Sequence, residues 1–257
     1  MGKREVRMSR LVEVINSCGY MPIKELAQMF HVSEMTIRRD LAAVERSGLV
    51  KNVNGVVVNT NKSAEINREY VLETETKVQN EAKVLIGHFA AGLIEPGDCV
   101  IFDTGTTTEQ IAKHLSSSLE MEAVCFTFNV MEALHNLPNV RSGMAGGYYH
   151  PGTQMFISEE GVRFIQSIRA NKVFLSAAGV HESLGISCAN SYEVPMKQAI
   201  LRSACQRILV VDSSKFGVVR SAYFCDLDAI DIVITDEGLS KDWCALLKEK
   251  GITVYLV

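Results

Sequence analysis

Between Ile23 and Asp40 the chain reads IKELAQMFHVSEMTIRRD, a pattern that admits two short helices joined by a tight turn and little else. Leu26, Ala27 and Phe30 fall at the spacing of neighbours on one helical face. His31-Val32 supplies the turn, and Ser33 can N-cap the next helix because its side-chain oxygen accepts an orphan backbone N–H. In that second helix Ile37, Leu41 and Val44 share one side and must face a core. At about 100° per residue, Met35, Arg39 and Ala42 then point away from it, flanked by Thr36 and Arg38. A helix showing solvent two arginines, a threonine and an uncovered methionine is equipped for a DNA major groove. A helical hairpin with a solvated basic face is the plainer alternative.

The next stretch of chain favours the groove. Arg46, Gly48-Leu49-Val50, Lys51 and then VNGVVVN read as a helix end and a small β-hairpin turning at Asn54-Gly55. Three helices and a hairpin make a winged helix-turn-helix, in which Lys51 would hold the wing to the phosphate backbone. The charge agrees. Residues 1–62 hold ten Lys/Arg against six acids, or +4, which leaves −8 for the remainder of a chain whose total is −4. A basic head on an acidic body is expected where only the head meets phosphate.

At 257 residues a second domain of ordinary size must be present. The boundaries expected are 1–58 for the winged helix-turn-helix, 59–76 for a polar linker with room for a short helix, and 77–257 for a sensor-sized α/β domain. In the last, strands at 98–103, 123–127, 140–144, 172–177, 207–212, 231–235 and 252–256 alternate with helices near 77–95, 107–116, 129–136, 158–169, 193–204 and 240–250. Such alternation implies a mostly parallel sheet covered on both faces. Seven cysteines lie singly at 18, 99, 125, 188, 205, 225 and 244 with no CxxC, so buried reduced thiols are expected rather than disulfides. Six histidines lack ligand spacing, and neither a metal nor a cofactor is expected. The charged N-terminus and the absence of an apolar run near the ~18 residues that span a bilayer give a cytoplasmic expectation with no membrane partner.

Ligands of parallel sheets bind where strand ends lead into helices. Asp103-Thr104-Gly105-Thr106-Thr107-Thr108 follows a strand and opens a helix, so its glycine, hydroxyls and free amides suit a phosphate; a hydroxyl-rich cap without ligand is the alternative. It lacks the endings of a Walker A loop and of a GxGxxG fingerprint, which disfavours nucleoside triphosphates and dinucleotides. Asn129 can cap a helix or donate to a ligand, and Gly146-Gly147 can approach a ligand or simply turn. Ser176-Ala177-Ala178-Gly179 leaves room at a strand end. Glu193 and Lys197 stand at i,i+4 and face one site or form a surface pair, while Lys215 neutralises an anion or sits in water. A small phosphorylated polyol is the ligand class these loops suggest.

VSEMTIRRDL (32–41), FDTGTTT (102–108), GG (146–147), SAAGVH (176–181), EVPMK (193–197) and VVDSSKFG (210–217) together resemble the DeoR family of bacterial transcriptional regulators, over nearly the whole chain. The resemblance implies a winged helix-turn-helix followed by a sensor sharing the fold of ribose-5-phosphate isomerase and CoA transferases. It implies repression of a sugar or nucleoside catabolic operon, operator DNA as one partner, and a phosphorylated sugar that loosens the grip on it. SAAGVH, EVPMK and KFGVVR (215–220) look closest to members controlling deoxyribose catabolism, making deoxyribose 5-phosphate one candidate effector. Carried over by motif, the effector positions are Asp103, Gly105, Thr106, Thr107, Thr108, Asn129, Gly147, Gly179, Glu193, Lys197 and Lys215, with His181 added as a hydroxyl contact or a loop cap. For DNA they are Ser33, Met35, Thr36, Arg38, Arg39 and Lys51, presented by a homo-oligomer.

Two departures stand out. The family's wing usually continues GLV with an arginine-rich HGGA segment, whereas this chain reads GLVKNVNGVVV. Many relatives carry Asp where His181 stands. The rival reading is a sugar-phosphate isomerase fused to a DNA-binding head. Isomerases of the related fold read D-G-A-D where this chain has Ala178-Gly179-Val180-His181, so both carboxylates that would shuttle protons are missing, with Glu193 and His181 as the conceivable substitutes.

Overall fold

The computed structural model describes residues 3–18, 20–53, 55–59 and 70–257. The chain divides into two compact units, Met1–Arg68 and Glu69–Val257. In the first, helix α1 (Lys3–Cys18) leads to strand β1 (Tyr20–Pro22), helices α2 (Ile23–Met29) and α3 (Glu34–Val44), and strands β2 (Val50–Val53) and β3 (Val56–Asn59). His31 takes a left-handed φ of 52° in the turn between α2 and α3. Ser33 then caps α3, accepting from the Thr36 amide at 3.3 Å. Ile37, Leu41 and Val44 pack with Leu11, Ile15, Ile23, Leu26, Val50 and Val57 into one core. β2 and β3 pair antiparallel with Val53 opposite Val56, so a two-residue loop joins them. Asn54 lies outside the described residues; Gly55 has φ 88°, and its amide donates to Asn52 Oδ1 at 3.0 Å. β1 adds to β3, an edge strand too short for periodicity to announce.

One tether in this unit has no counterpart in the sequence pattern. Asp40, on α3, is 1% exposed, and its carboxylate accepts from Arg7 Nε at 2.6 Å and Arg4 Nε at 2.9 Å. Two of the basic residues counted toward a phosphate-binding charge therefore clamp α1 to the back of α3.

The second unit opens with helices α4 (Leu72–Lys77) and α5 (Asn80–Ala91). The helix expected near 77–95 begins at Asn80 as α5, because Val78 is extended and Gln79 is left-handed at φ 52°, and α4 is the short helix for which the linker had room. This unit also takes in Tyr70–Thr76, which the sequence assigns to the linker. Next come β4 (Cys99–Phe102), α6 (Thr106–Lys113), β5 (Met121–Cys125), α7 (Phe128–Leu134), β6 (Val140–Met144), β7 (Tyr148–His150), β8 (Met155–Ile157), α8 (Glu159–Ser167) and β9 (Ala170–Leu175). The chain continues with β10 (Gly179–His181), β11 (Gly185–Cys188), α9 (Val194–Ser203), β12 (Ala204–Val210), β13 (Ala222–Cys225), β14 (Ile232–Thr235), α10 (Lys241–Glu249) and β15 (Thr253–Leu256).

The strands expected from alternation form a single seven-stranded sheet ordered β15-β14-β12-β9-β4-β5-β6. Every neighbouring pair is parallel. Successive residues point to opposite faces. Ile101, Val173, Leu175, Leu209 and Val233 pack under α8, α9 and α10, while Val100, Phe102, Phe174, Ile208 and Ile234 pack under α5, α6 and α7. The hairpin β7–β8 and the antiparallel sheet β10-β11-β13 are additions whose strands run three or four residues. Among the described residues no helix is long and apolar enough to cross a membrane.

From β4 the chain order runs outward through β5 and β6, then returns to the other side of β4 at β9 and runs outward through β12, β14 and β15. The ends of β4 and β9 thus flank the point where strand order reverses, the position where open parallel sheets form a ligand crevice.

Replacing Asp40 with alanine should lower the stability of the N-terminal unit by about 1–3 kcal/mol, because Arg7 loses its anion in a half-buried position. Urea unfolding of the full chain reads this as an earlier first transition; an unchanged transition would mean that solvent already supports both guanidiniums.

Candidate functional site

In the N-terminal unit, the face of α3 opposite Ile37, Leu41 and Val44 carries Met35, 61% exposed, with Arg38 and Arg39 exposed and Thr36 half-buried. Arg38 reaches back toward Glu34 at 3.9 Å, a loose i,i+4 pair that a phosphate would displace at little cost. Lys51 is exposed on β2. Every residue expected to meet DNA is at least partly in solvent or, like Ser33, fixes the helix start.

The second site is built around the switch point. Asp103, just past β4, is fully buried. Its carboxylate accepts from the Thr104 amide at 2.8 Å and from the Ser176 amide and hydroxyl at 2.9 and 3.2 Å. Lys197 Nζ, from α9, donates to it at 2.5 Å and to the Ser176 carbonyl at 3.0 Å. Burial alone would lower the Lys197 ammonium, but Asp103 and Glu193 outweigh it and hold its pKa above the usual lysine value. Burial pushes the Glu193 carboxyl up against the opposing pull of Lys197 and Asn190. Glu193 Oε1 accepts from the Asn190 amide and side chain at 3.0 and 2.9 Å, closing a capping box at the entry to α9.

Gly105 has φ 127°, and a Cβ there would lie 3.1 Å from Ser176 Oγ and 3.2 Å from Ser176 Cβ, so no other residue fits without strain. Thr106, Thr107 and Thr108 are buried in the first turn of α6. Thr108 Oγ1 donates to the Gly105 carbonyl at 3.0 Å, and Asn129 Nδ2 donates to the same oxygen at 3.3 Å and to Glu109 at 2.9 Å. Among the described residues no backbone acceptor meets the amides of Gly105, Thr106, Thr107 or Thr108. They form a cluster of N–H donors at the positive end of a helix dipole. Thr127 Oγ1, Asn129 Oδ1, Asp212 Oδ2 and Thr235 Oγ1 are buried without a partner at the carboxyl ends of β5, β12 and β14. Buried orphans at one end of a sheet suit a ligand rich in hydroxyls.

Asp103, Gly105, Thr106, Thr107, Thr108, Asn129, Glu193 and Lys197 are thus brought together. Lys215 approaches from the turn after β12 and pairs with Glu75 Oε2 at 3.3 Å. At Gly147 and Gly179 the backbone passes close to its neighbours: a Cβ on Gly147 would lie 2.3 Å from the Ile157 carbonyl, and one on Gly179 2.5 Å from that of Val218. His181 caps its own loop, Nδ1 accepting from the amides of Ser183 and Leu184 at 3.2 and 3.1 Å. Burial lowers its pKa to about 4.

Sequence reasoning placed Ser176 at the site without a bonding role and missed Glu109, Tyr70, Glu75 and Lys83. Lys83 left a signal, since it shares a helix face with Ile86 and Ala90 and a cation on an apolar stripe needs a buried anion or acceptor. Glu75 and Tyr70 left none, because the polar segment around them has no periodicity.

Comparison with known proteins places residues 7–62 in the DeoR-like helix-turn-helix domain and residues 78–237 in the DeoR C terminal sensor domain. The deoxyribose operon repressor of Escherichia coli K12 is 35% identical over 234 residues, covering 91% of each chain. The HTH-type transcriptional regulator IolR of Bacillus subtilis 168 is 27% identical over 251 residues, covering 98% of each. Ribose 5-phosphate isomerase A from Neisseria gonorrhoeae superposes with a TM-score of 0.40 at 15% identity, covering 56% of each chain.

The buried groups lead to two expected outcomes. Lys197→Met strands the Asp103 carboxylate and should destabilise the second unit by about 3–5 kcal/mol, with Asp103→Asn added to it restoring part of the loss; a double variant no more stable than the single one would contradict the pairing. His181 contributes its full stability above pH 6.5 and loses it as pH falls toward 4, because the unfolded chain takes up the proton first. Thermal melts of His181→Gln should therefore fall less between those values than the parent's; parallel curves would contradict the assignment.

Proposed function

The chain belongs to the DeoR family of transcriptional regulators, and we propose that it is a repressor of a sugar or deoxyribonucleoside catabolic operon, released from its operator by a phosphorylated sugar. One observation carries this reading: an exposed arginine-bearing helix in one unit and, in the other, a crevice lined by open amides and orphaned acceptors. Arg38 and Arg39 contact guanine edges and phosphates, Met35 meets a thymine methyl, Ser33 and Thr36 set the helix on the duplex, and Lys51 holds the wing. A single small head makes too few contacts for useful specificity, so a homo-oligomer presents two α3 helices to repeated half-sites in the cytoplasm.

In the crevice, the phosphate sits on the amides of Gly105 to Thr108, and the sugar hydroxyls donate to Asn129 Oδ1, Thr127 Oγ1 and Asp212 Oδ2. Lys197 is already neutralised by Asp103, so its part is to brace the loop. The named relative that represses a deoxyribose operon supports deoxyribose 5-phosphate as effector. The isomerase reading loses ground at His181, whose Nδ1 lone pair accepts from two loop amides and is not free to take a proton from a sugar carbon.

Fluorescence anisotropy with promoter fragments upstream of the neighbouring genes tests both halves. Arg39→Ala should weaken binding by about 1–3 kcal/mol if it reads a guanine. Gly105→Val should keep DNA affinity and lose release by deoxyribose 5-phosphate. Operator binding unchanged in both Arg38→Ala and Arg39→Ala, or turnover of a pentose phosphate, would refute the proposal.

A further inference from the structure

The crevice is already engaged by part of its own chain. Lys215 Nζ lies 3.3 Å from Glu75 Oε2 on α4, with both side chains largely buried. Lys83 Nζ, from α5, donates to the Glu75 backbone carbonyl at 2.6 Å. Lys83 is 2% exposed, and burial holds its ammonium below the usual lysine range, with Asp212, Lys215 and Glu75 as the charges around it. A peptide carbonyl is a weak partner for a buried cation, and an anion between these two lysines would be a stronger one.

The rest of the segment is docked as well. The Leu72 amide donates to the Gly152 carbonyl at 2.8 Å, and the Leu72 side chain is buried. The Tyr70 hydroxyl is held protonated by burial and then by the fields of Glu193, Glu75, Asp103 and Glu109. The segment is thus held at Leu72 by the Gly152 carbonyl and at Glu75 by Lys83 and Lys215. This segment is also the first described stretch of the second unit, covalently continuous with the chain from the helix-turn-helix.

We propose that Glu75 is a tethered substitute for the phosphate of the effector: its carboxylate holds Lys215 and its backbone carbonyl holds Lys83, and a sugar phosphate takes over both lysines and frees Tyr70–Lys77. This rests on the repressor reading and assigns its regulation. A phosphate dianion brings up to twice the charge of a carboxylate and three acceptor oxygens, enough to satisfy both ammonium groups while the loop amides hold its remaining face. Release adds eight residues to the tether between the units, up to about 25 Å of extended chain. A longer tether lowers the effective concentration of the second recognition helix at its half-site, which is how occupancy of a crevice weakens the grip on an operator.

The test is hydrogen exchange on the full chain, monitored at Leu72–Lys77, with inorganic phosphate and deoxyribose 5-phosphate as probes and deoxyribose as the uncharged control. The expected result is fast exchange on adding either phosphate and none on adding deoxyribose. Glu75→Gln should exchange fast without ligand and bind deoxyribose 5-phosphate roughly fivefold more tightly, the equivalent of one partly buried ion pair. Lys215→Gln should exchange fast and show no further response to phosphate. If deoxyribose 5-phosphate releases operator DNA while this segment stays protected and Glu75→Gln matches the parent, the tethered-substitute proposal is overturned and the repressor reading stands. If phosphate frees the segment but no sugar phosphate alters DNA binding, the exchange stands and the repressor reading is overturned.

Discussion

A carboxylate and an ammonium buried side by side lose the water that would otherwise solvate them, and they hold only while each remains the other's partner. Asp103 and Lys197 are such a pair, and they sit at the ends of the two strands between which the order of the parallel sheet reverses. Their position governs much else. By drawing Ser176 and Thr104 onto the same carboxylate, the pair fixes the loop whose open amides face the crevice. It forces glycine at 105, because Ser176 stands where a side chain would go. It also neutralises Lys197, which therefore braces the loop.

Opposite charges are interleaved around the crevice: Asp103 pairs with Lys197, Glu75 pairs with Lys215, and Asp212 acts on Lys83. The N-terminal unit is simpler: its core sets the aspect of α3, and Asp40 locks α1 behind it, so the exposed arginines ride on a braced helix.

The same physics decides which elements were legible in the chain. The strands of the parallel sheet are continuous apolar runs because both faces are covered, and such runs stand out against helical stretches. The helix-turn-helix was legible because Ser33 and the Ile37-Leu41-Val44 stripe are local signals. The hairpin β7–β8 and the sheet β10-β11-β13 were not, since strands of three or four residues carry too few alternations. Among site residues, the loop 103–108 announced itself through glycine and hydroxyls at a strand end. The roles of Gly147, Gly179 and His181 did not, because what they touch (Ile157, Val218 and the amides of their own loop) is set by tertiary packing. Glu75 and Lys83 meet across an α4–α5 bend at Gln79, which no periodicity encodes.

Operator and sugar phosphate compete for the state of one protein, so their effects on each other must be equal. Calorimetric titration of deoxyribose 5-phosphate into the chain, alone and saturated with operator duplex, measures that coupling directly. The predicted result is a Kd raised by the operator by the same factor that the sugar phosphate raises the operator's own Kd. Equal affinity for the sugar phosphate with and without DNA would contradict the coupling.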